Sequence, residues 1–184
     1  MRIVAGTARG RPIEGPPKDG PRPTLDRVRE TLFNVLGQFL SGEAVLDLYS
    51  GTGALSLEAL SRGAGSAVLV EKDREMVALC QRNAAALGFT PQVTVMLSSV
   101  EKAVDRLSGA GKRFDLIFAD PPYASLAGKN VLLWVDSKSL LAQHGTLVLE
   151  HDKRELLPEV EGGLTRVDER VFGDTRLSLY RKAD

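Results

Sequence analysis

The hydrophobic rhythm of the chain changes twice. Between residues 25 and 40, Leu25, Val28, Leu32, Val35, Leu36 and Phe39 recur at helical spacing. Apolar positions three and four apart share one helix face, so the segment is predicted as an amphipathic helix with Thr24 at its N-cap. From residue 44 onward, short apolar runs at 44–49, 66–71, 92–97, 114–119 and 146–150 alternate with helical stretches near 54–62, 73–87, 100–108 and 126–142. Asp73 is placed to cap the helix over 73–87 and Gly88 to end it, and Gly145 is read as the stop after the helix over 126–142. Near the end, 164–172 and 175–181 alternate with period two around Gly173-Asp174, the pattern of a hairpin.

Strands alternating with helices build a parallel sheet with helices on both faces. The terminal hairpin adds antiparallel strands. The predicted fold class is therefore α/β: a Rossmann-like, mostly parallel sheet closed by a C-terminal antiparallel hairpin, the S-adenosylmethionine-dependent methyltransferase arrangement. Ahead of it, residues 2–5 and 11–13 read as a short β-hairpin, and Pro and Gly interrupt 15–23 too often for regular structure. The 184 residues suit a single domain over 1–184, with a basic hairpin and loop at 1–23 and a helix plus α/β core at 24–184.

Composition changes this picture only locally. A single cysteine, Cys80, excludes an internal disulfide framework and a cysteine-rich zinc site; it lies among apolar helix positions and reads as core. No apolar run approaches the roughly 20 residues needed to cross a bilayer, and the start does not read as a signal peptide, so a soluble, cytoplasmic protein is expected. His144 and His151 have no ligand partners at suitable spacing, and no metal is expected. The formal net charge is zero, yet residues 1–29 hold seven basic and three acidic side chains, a net +4 that leaves −4 for the rest. Such an arm can grip a polyanion or lie solvated, and charge alone leaves both open.

Candidate chemistry gathers at two strand ends. Asp47-Leu-Tyr-Ser-Gly51-Thr-Gly53 follows the first α/β strand, where ligands of open α/β sheets bind. Gly51 can take a positive φ, Gly53 lets a ligand approach the backbone, and the next helix offers free N–H groups to a carboxylate. A dinucleotide fingerprint wants Gly or Ala where Ser56 stands, so the motif is imperfect for NAD. Glu71 ends the second strand and can accept from both ribose hydroxyls; Lys72 beside it, and Ser99 and Val100 after the third strand, complete the expected cofactor set with Asp47, Gly51 and Gly53.

The second strand end is Asp120-Pro121-Pro122-Tyr123, after the apolar run 114–119. The prolines stiffen the loop and remove N–H donors, so it presents acceptors. An exocyclic amine of a nucleobase carries two donor hydrogens, which Asp120 and the Pro121 carbonyl can accept. Its lone pair is delocalised into the ring; two acceptors favour a pyramidal nitrogen whose lone pair can attack a methyl group, a reaction driven by positioning and electrostatics. Tyr123 can stack on the base. Glu150 and His151 end the fifth strand, with at most a minor substrate role. Trp134, on the following helix, is read as packing.

This loop resembles that of the [DNS]-P-P-[YF] amino-methyltransferases. With the segment Met1 to Arg11 and the run Arg22-Pro-Thr-Leu-Asp-Arg-Val-Arg-Glu-Thr-Leu-Phe-Asn34, nearly the whole chain is similar to the bacterial RsmD family. The resemblance implies S-adenosylmethionine as methyl donor and the N2 of a guanine in 16S rRNA as acceptor, within a small-subunit assembly particle. It implies that Arg22, Pro23, Thr24 and Arg27 help close the cofactor site or hold the target, and that Arg9, Arg11 and Arg22 contact RNA. Ala8 stands where members often carry an aromatic. The motif by itself also fits adenine-N6 or cytosine-N4 methylation; an NAD-dependent oxidoreductase and a non-catalytic RNA-binding protein are the rivals from other classes.

Overall fold

The computed structural model describes residues 1–17, 26–123 and 126–183 and divides into two compact units, Met1–Ser99 and Val100–Asp184. In the first unit, α1 (Asp26–Leu36) precedes β1 (Ala44–Asp47), α2 (Ala54–Ser61), β2 (Ser66–Glu71), α3 (Arg74–Leu87) and β3 (Val93–Leu97). β1 pairs with β2 and β2 with β3, both parallel. Val45, Leu46, Leu69 and Val70 of β1 and β2 are buried, as are Leu57 of α2 and Leu79 of α3. Asp73 caps α3 as expected, accepting from the N–H groups of Glu75 and Met76 at 2.8 and 3.1 Å, and Gly88 ends it in the left-handed region.

In the second unit, α4 (Val100–Gly109), β4 (Phe114–Ala119), α5 (Ala127–Ser137) and β5 (Leu141–Asp152) precede β6 (Val160–Glu161), β7 (Leu164–Phe172) and β8 (Thr175–Lys182). β4 and β5 are parallel; β5–β8, β8–β7 and β7–β6 are antiparallel. The fold is thus α/β, with parallel strands followed by antiparallel C-terminal ones. The hairpin over Gly173-Asp174 is present, and the two-residue β6 beyond it carries too little pattern to be read from sequence.

Two boundaries differ from the periodic reading. The first helix stops at Leu36, with Gly37 at φ 107°. Its buried face is Val28, Arg29, Leu32 and Phe33, while Phe39 is 74% exposed. On that buried face the Phe33 ring lies 4.6 Å from the Arg62 guanidinium, a cation–π contact. The expected stop at Gly145 is absent: α5 ends at Ser137, and β5 begins at Leu141. Gly145 lies instead in the irregular stretch where pairing to β4 jumps from Phe114↔Leu141 to Leu116↔Thr146.

The N-terminal arm is a minimal hairpin, Arg2 bridging Pro12, docked on α2. Its anchor is Glu58, fully buried, which accepts from Val4 N–H at 2.9 Å, Ala5 N–H at 3.0 Å and Arg62 Nε at 2.8 Å. Ala8 is buried here and donates its N–H to Ser61 Oγ, so a small residue fills this point of the dock. Removing one member of a buried ion pair leaves the other uncompensated. Glu58→Ala is therefore expected to cost about 3–5 kcal/mol in denaturant unfolding and to speed amide exchange at Val4 and Ala5; a loss of less than about 1 kcal/mol, typical of an exposed pair, would refute the anchoring role.

Candidate functional site

In the first unit the Gly51–Gly53 loop joins β1 to α2 with both glycines at positive φ, 53° and 80°. The positive φ expected of Gly51 is present, and at Gly53 the close approach is made by the protein's own side chains. A Cβ on Gly53 would meet Leu69 Cδ2 at 3.0 Å and Cys80 Sγ at 3.5 Å, so Gly53 serves close packing of α2 on β2 and α3. A Cβ on Gly51 would meet nothing within 4 Å, so the open approach lies there.

The loop is held from beneath. Ser50 Oγ donates to the Val70 carbonyl at 3.2 Å, and Cys80 Sγ lies 2.9 Å from the Gly51 carbonyl as its donor. Burial pushes the Cys80 thiol up to about 12, which keeps its proton in place. Cys80 is core, as expected, and also props the loop. Asp47 is buried and accepts from Ser56 Oγ at 3.1 Å, which accounts for the serine at the third motif position.

Glu71 is half-buried and already oriented. Its Oε1 accepts from the Lys72 and Asp73 N–H groups at 2.9 and 3.0 Å, and its Oε2 accepts from Gly51 N–H at 3.1 Å. A carboxylate has about four lone-pair positions, so the remaining capacity is on Oε2, less than two ribose hydroxyls would use. Lys72 is exposed and enters through its backbone. Ser99 is half-buried and Val100 buried, and the Ser98 hydroxyl is turned onto the Ser99 carbonyl at 2.9 Å. Open space at Gly51 beside an oriented carboxylate fits a nucleoside carrying an amino-acid tail. Arg27 is exposed on α1; Arg22, Pro23 and Thr24 lie outside the described residues.

In the second unit, Asp120 follows β4, Pro121 is buried, and Pro122 and Tyr123 are exposed. Tyr123 OH lies 2.6 Å from Thr175 Oγ1, at the start of β8. Burial pushes the Asp120 carboxyl up to about 6. Glu150 is pushed up to about 8, by burial first and by the Asp120 charge second. Glu150 therefore stands with Asp120, which one strand read alone does not reveal; the signal was the parallel register of β4 and β5. His151 is buried, with Nε2 2.9 Å from Ser178 Oγ and Nδ1 3.1 Å from the Asp152 carbonyl, and it ties β5 to β8. Trp134 is half-buried on α5.

The basic arm is partly committed to the fold. The Arg11 guanidinium donates to the Leu87 and Ala86 carbonyls at the end of α3, where a cation is favourable. Arg29 is fully buried, donating to the Arg2 carbonyl and paired with Asp26 at 2.6 Å. Arg9 is exposed and lines a cavity of about 310 Å³ with Arg2, Asp26 and Glu30.

Comparison with known proteins bears on the whole chain. The profile of the family described as Conserved hypothetical protein 95 matches residues 1–181. The Escherichia coli (strain K12) protein named Ribosomal RNA small subunit methyltransferase D is 34% identical over 182 residues, covering 99% of this chain and 90% of that protein. YlbH of Bacillus subtilis (strain 168) is 33% identical over 182 residues, 99% of each. The solved structure of yhhF from Escherichia coli superposes with a TM-score of 0.86 at 35% identity, over 99% of this chain and 97% of that one.

The raised carboxyls have a consequence for stability. Both bind protons more tightly in the folded chain than in the unfolded one. Their favourable contribution is complete below the ordinary carboxylate range and is lost as pH rises through about 6 and about 8. Glu150→Gln removes one such group. The variant is expected to melt above the parent at about pH 9, with the gap closing near pH 4, the unfolded value; an equal gap at both pH values would assign it to packing.

Proposed function

The chain belongs to the family described as Conserved hypothetical protein 95, and on that footing we propose that it is an S-adenosylmethionine-dependent methyltransferase acting on the exocyclic N2 of a guanine in 16S rRNA. The observation that carries the reading is Asp120: a carboxylate at a parallel strand end, out of water enough to be raised to about 6, and followed by two residues without N–H groups. Among the described residues it is an acceptor with no side-chain or loop donor. The family profile running through residues 1–181 supports one methyltransferase domain.

Gly51, Glu71, Asp47, Gly53, Lys72, Ser99 and Val100 hold the cofactor in this reading, Glu71 meeting the ribose mainly through Oε2; Thr24 and Arg27 are assigned to its closure. S-adenosylmethionine, when bound, supplies a methyl group on a sulfonium sulfur, which leaves as a neutral thioether. Asp120 and the Pro121 carbonyl accept the two amine hydrogens, Pro122 fixes the loop, and Tyr123 stacks on the base. Asp120 is ionised at neutral pH; it aligns the lone pair and takes the proton that the methylated nitrogen sheds, passing it to water. Arg9 and Arg22 face RNA phosphates, with Arg11 contributing mainly through the fold. The substrate is read as rRNA within a small-subunit assembly particle, and the location as cytoplasmic. Among the described residues, no helix is long and apolar enough to cross a membrane.

The decisive assay combines the protein, labelled S-adenosylmethionine, and small-subunit particles or naked rRNA from cells lacking the activity. Label is expected in N2-methylguanosine; label only in methyladenosine or methylcytidine would overturn the acceptor assignment. Asp120→Ala should lower transfer by about a hundredfold or more while leaving cofactor affinity within a few-fold. Parallel loss of both would place Asp120 in the cofactor site instead. The parent's rate should fall about tenfold per unit below pH 6, as Asp120 takes up its proton.

The arm yields a separate expectation. Arg9→Ala should reduce the slope of log affinity against log salt by about one ion without changing stability, because it removes one phosphate contact from an exposed side chain. An unchanged slope would remove Arg9 from the RNA surface.

A further inference from the structure

Glu150 has no structural employment that explains a half-buried carboxyl. β4 and β5 run in parallel register through Ala119↔Leu149, so Asp120 and Glu150 are the next pair along, side by side at the same height. On the other flank Glu150 is paired with Leu177 of β8, which brings no charge. Glu71, at the corresponding level of the first unit, collects three backbone N–H groups. Among the described residues neither Asp120 nor Glu150 collects any side-chain or loop donor. Two adjacent acceptor groups therefore face a ligand that brings adjacent donors.

We propose that Glu150 is the specificity-determining residue for the acceptor base, its carboxyl accepting the N1–H of a guanine whose N2 amine is held by Asp120. The inference rests on the amino-methyltransferase reading above. Among the bases with exocyclic amines, guanine alone has a ring N–H next to the amine. Adenine and cytosine present a ring lone pair there, which a carboxylate repels. The preference does not depend on which carboxyl holds a proton. An ionised Glu150 makes one bond to guanine N1–H and none to a bare ring nitrogen. A neutral one makes two to guanine, N1–H to its carbonyl and its O–H to O6, against one to a ring nitrogen alone. Guanine gains one hydrogen bond in either state, and a site built around a substrate N–H rejects an analogue lacking it.

The test uses 2-aminopurine, which keeps the amine of guanine but lacks both N1–H and O6. The acceptor position is mapped first with the parent protein; rRNA is then assembled by ligation with guanine or 2-aminopurine at that position. The parent is expected to favour guanine by at least about tenfold in kcat/KM. Glu150→Leu, which can bond neither guanine N1–H and O6 nor a bare N1, should narrow the ratio to within about threefold, while calorimetric affinity for S-adenosylhomocysteine stays within about twofold. A parent protein that does not discriminate overturns the proposal without any variant. So does a folded Glu150→Leu protein that keeps the parent's ratio. Failure of the parent to methylate guanine at all is a different result: it removes the function reading on which the proposal stands.

Discussion

Each unit carries a pair of carboxylates at or near the ends of its own parallel strands, Asp47 and Glu71 in the first and Asp120 and Glu150 in the second, and the donors each one finds decide what the structure can do. Asp47 is answered by the Ser56 hydroxyl and Glu71 by three backbone N–H groups, so both are fixed before any ligand arrives. Asp120 and Glu150 are adjacent and are raised, to about 6 and about 8, by burial and, for Glu150, by the neighbouring charge. Leaving such groups unanswered weakens the fold at alkaline pH. Strongly perturbed carboxyls of this kind cluster at functional sites, which is the ground for the proposed acceptor site.

The same contrast explains what could be read from sequence. Periodicity located β2 and β4 to the residue, because a run buried on both faces has sharp edges in hydrophobicity. The Asp120 loop was legible because its chemistry is local: a carboxylate and two residues without donors sit within one turn of chain. Glu150 was visible only as a charge at a strand end. Its meaning depends on the register between strands that a helix separates, and no periodicity encodes that register. Gly51 takes the positive φ that the loop motif suggested, but which glycine faces open space depends on Leu69 and Cys80 packing beneath Gly53, which the motif does not encode.

Buried charges were the second blind spot. Glu58 and Arg62 look like an exposed i, i+4 pair in sequence, yet both are buried and clamp the N-terminal hairpin. Arg29 lies on the face of α1 that faces inward, so a helix with an arginine in its core stripe was drawn too long and rotated toward Phe39. Hydropathy treats an arginine as solvated, whereas here the side chain is buried and its Nη2 donates to the Arg2 carbonyl and Asp26.

That accounting also changes what the basic arm means. The +4 of residues 1–29 suggests a surface built for polyanions. Arg11 is committed to the end of α3 and Arg29 to the interior, so part of the positive charge holds the arm's own fold together. Electrostatic capture by the arm then rests on fewer groups than the count implies, Arg9 and Arg27 among the described ones. The arm's rigidity, fixed by Glu58, becomes as important as its charge. A polyanion held by a few cations on a docked hairpin is held in one orientation, because phosphate contacts fix register rather than sequence.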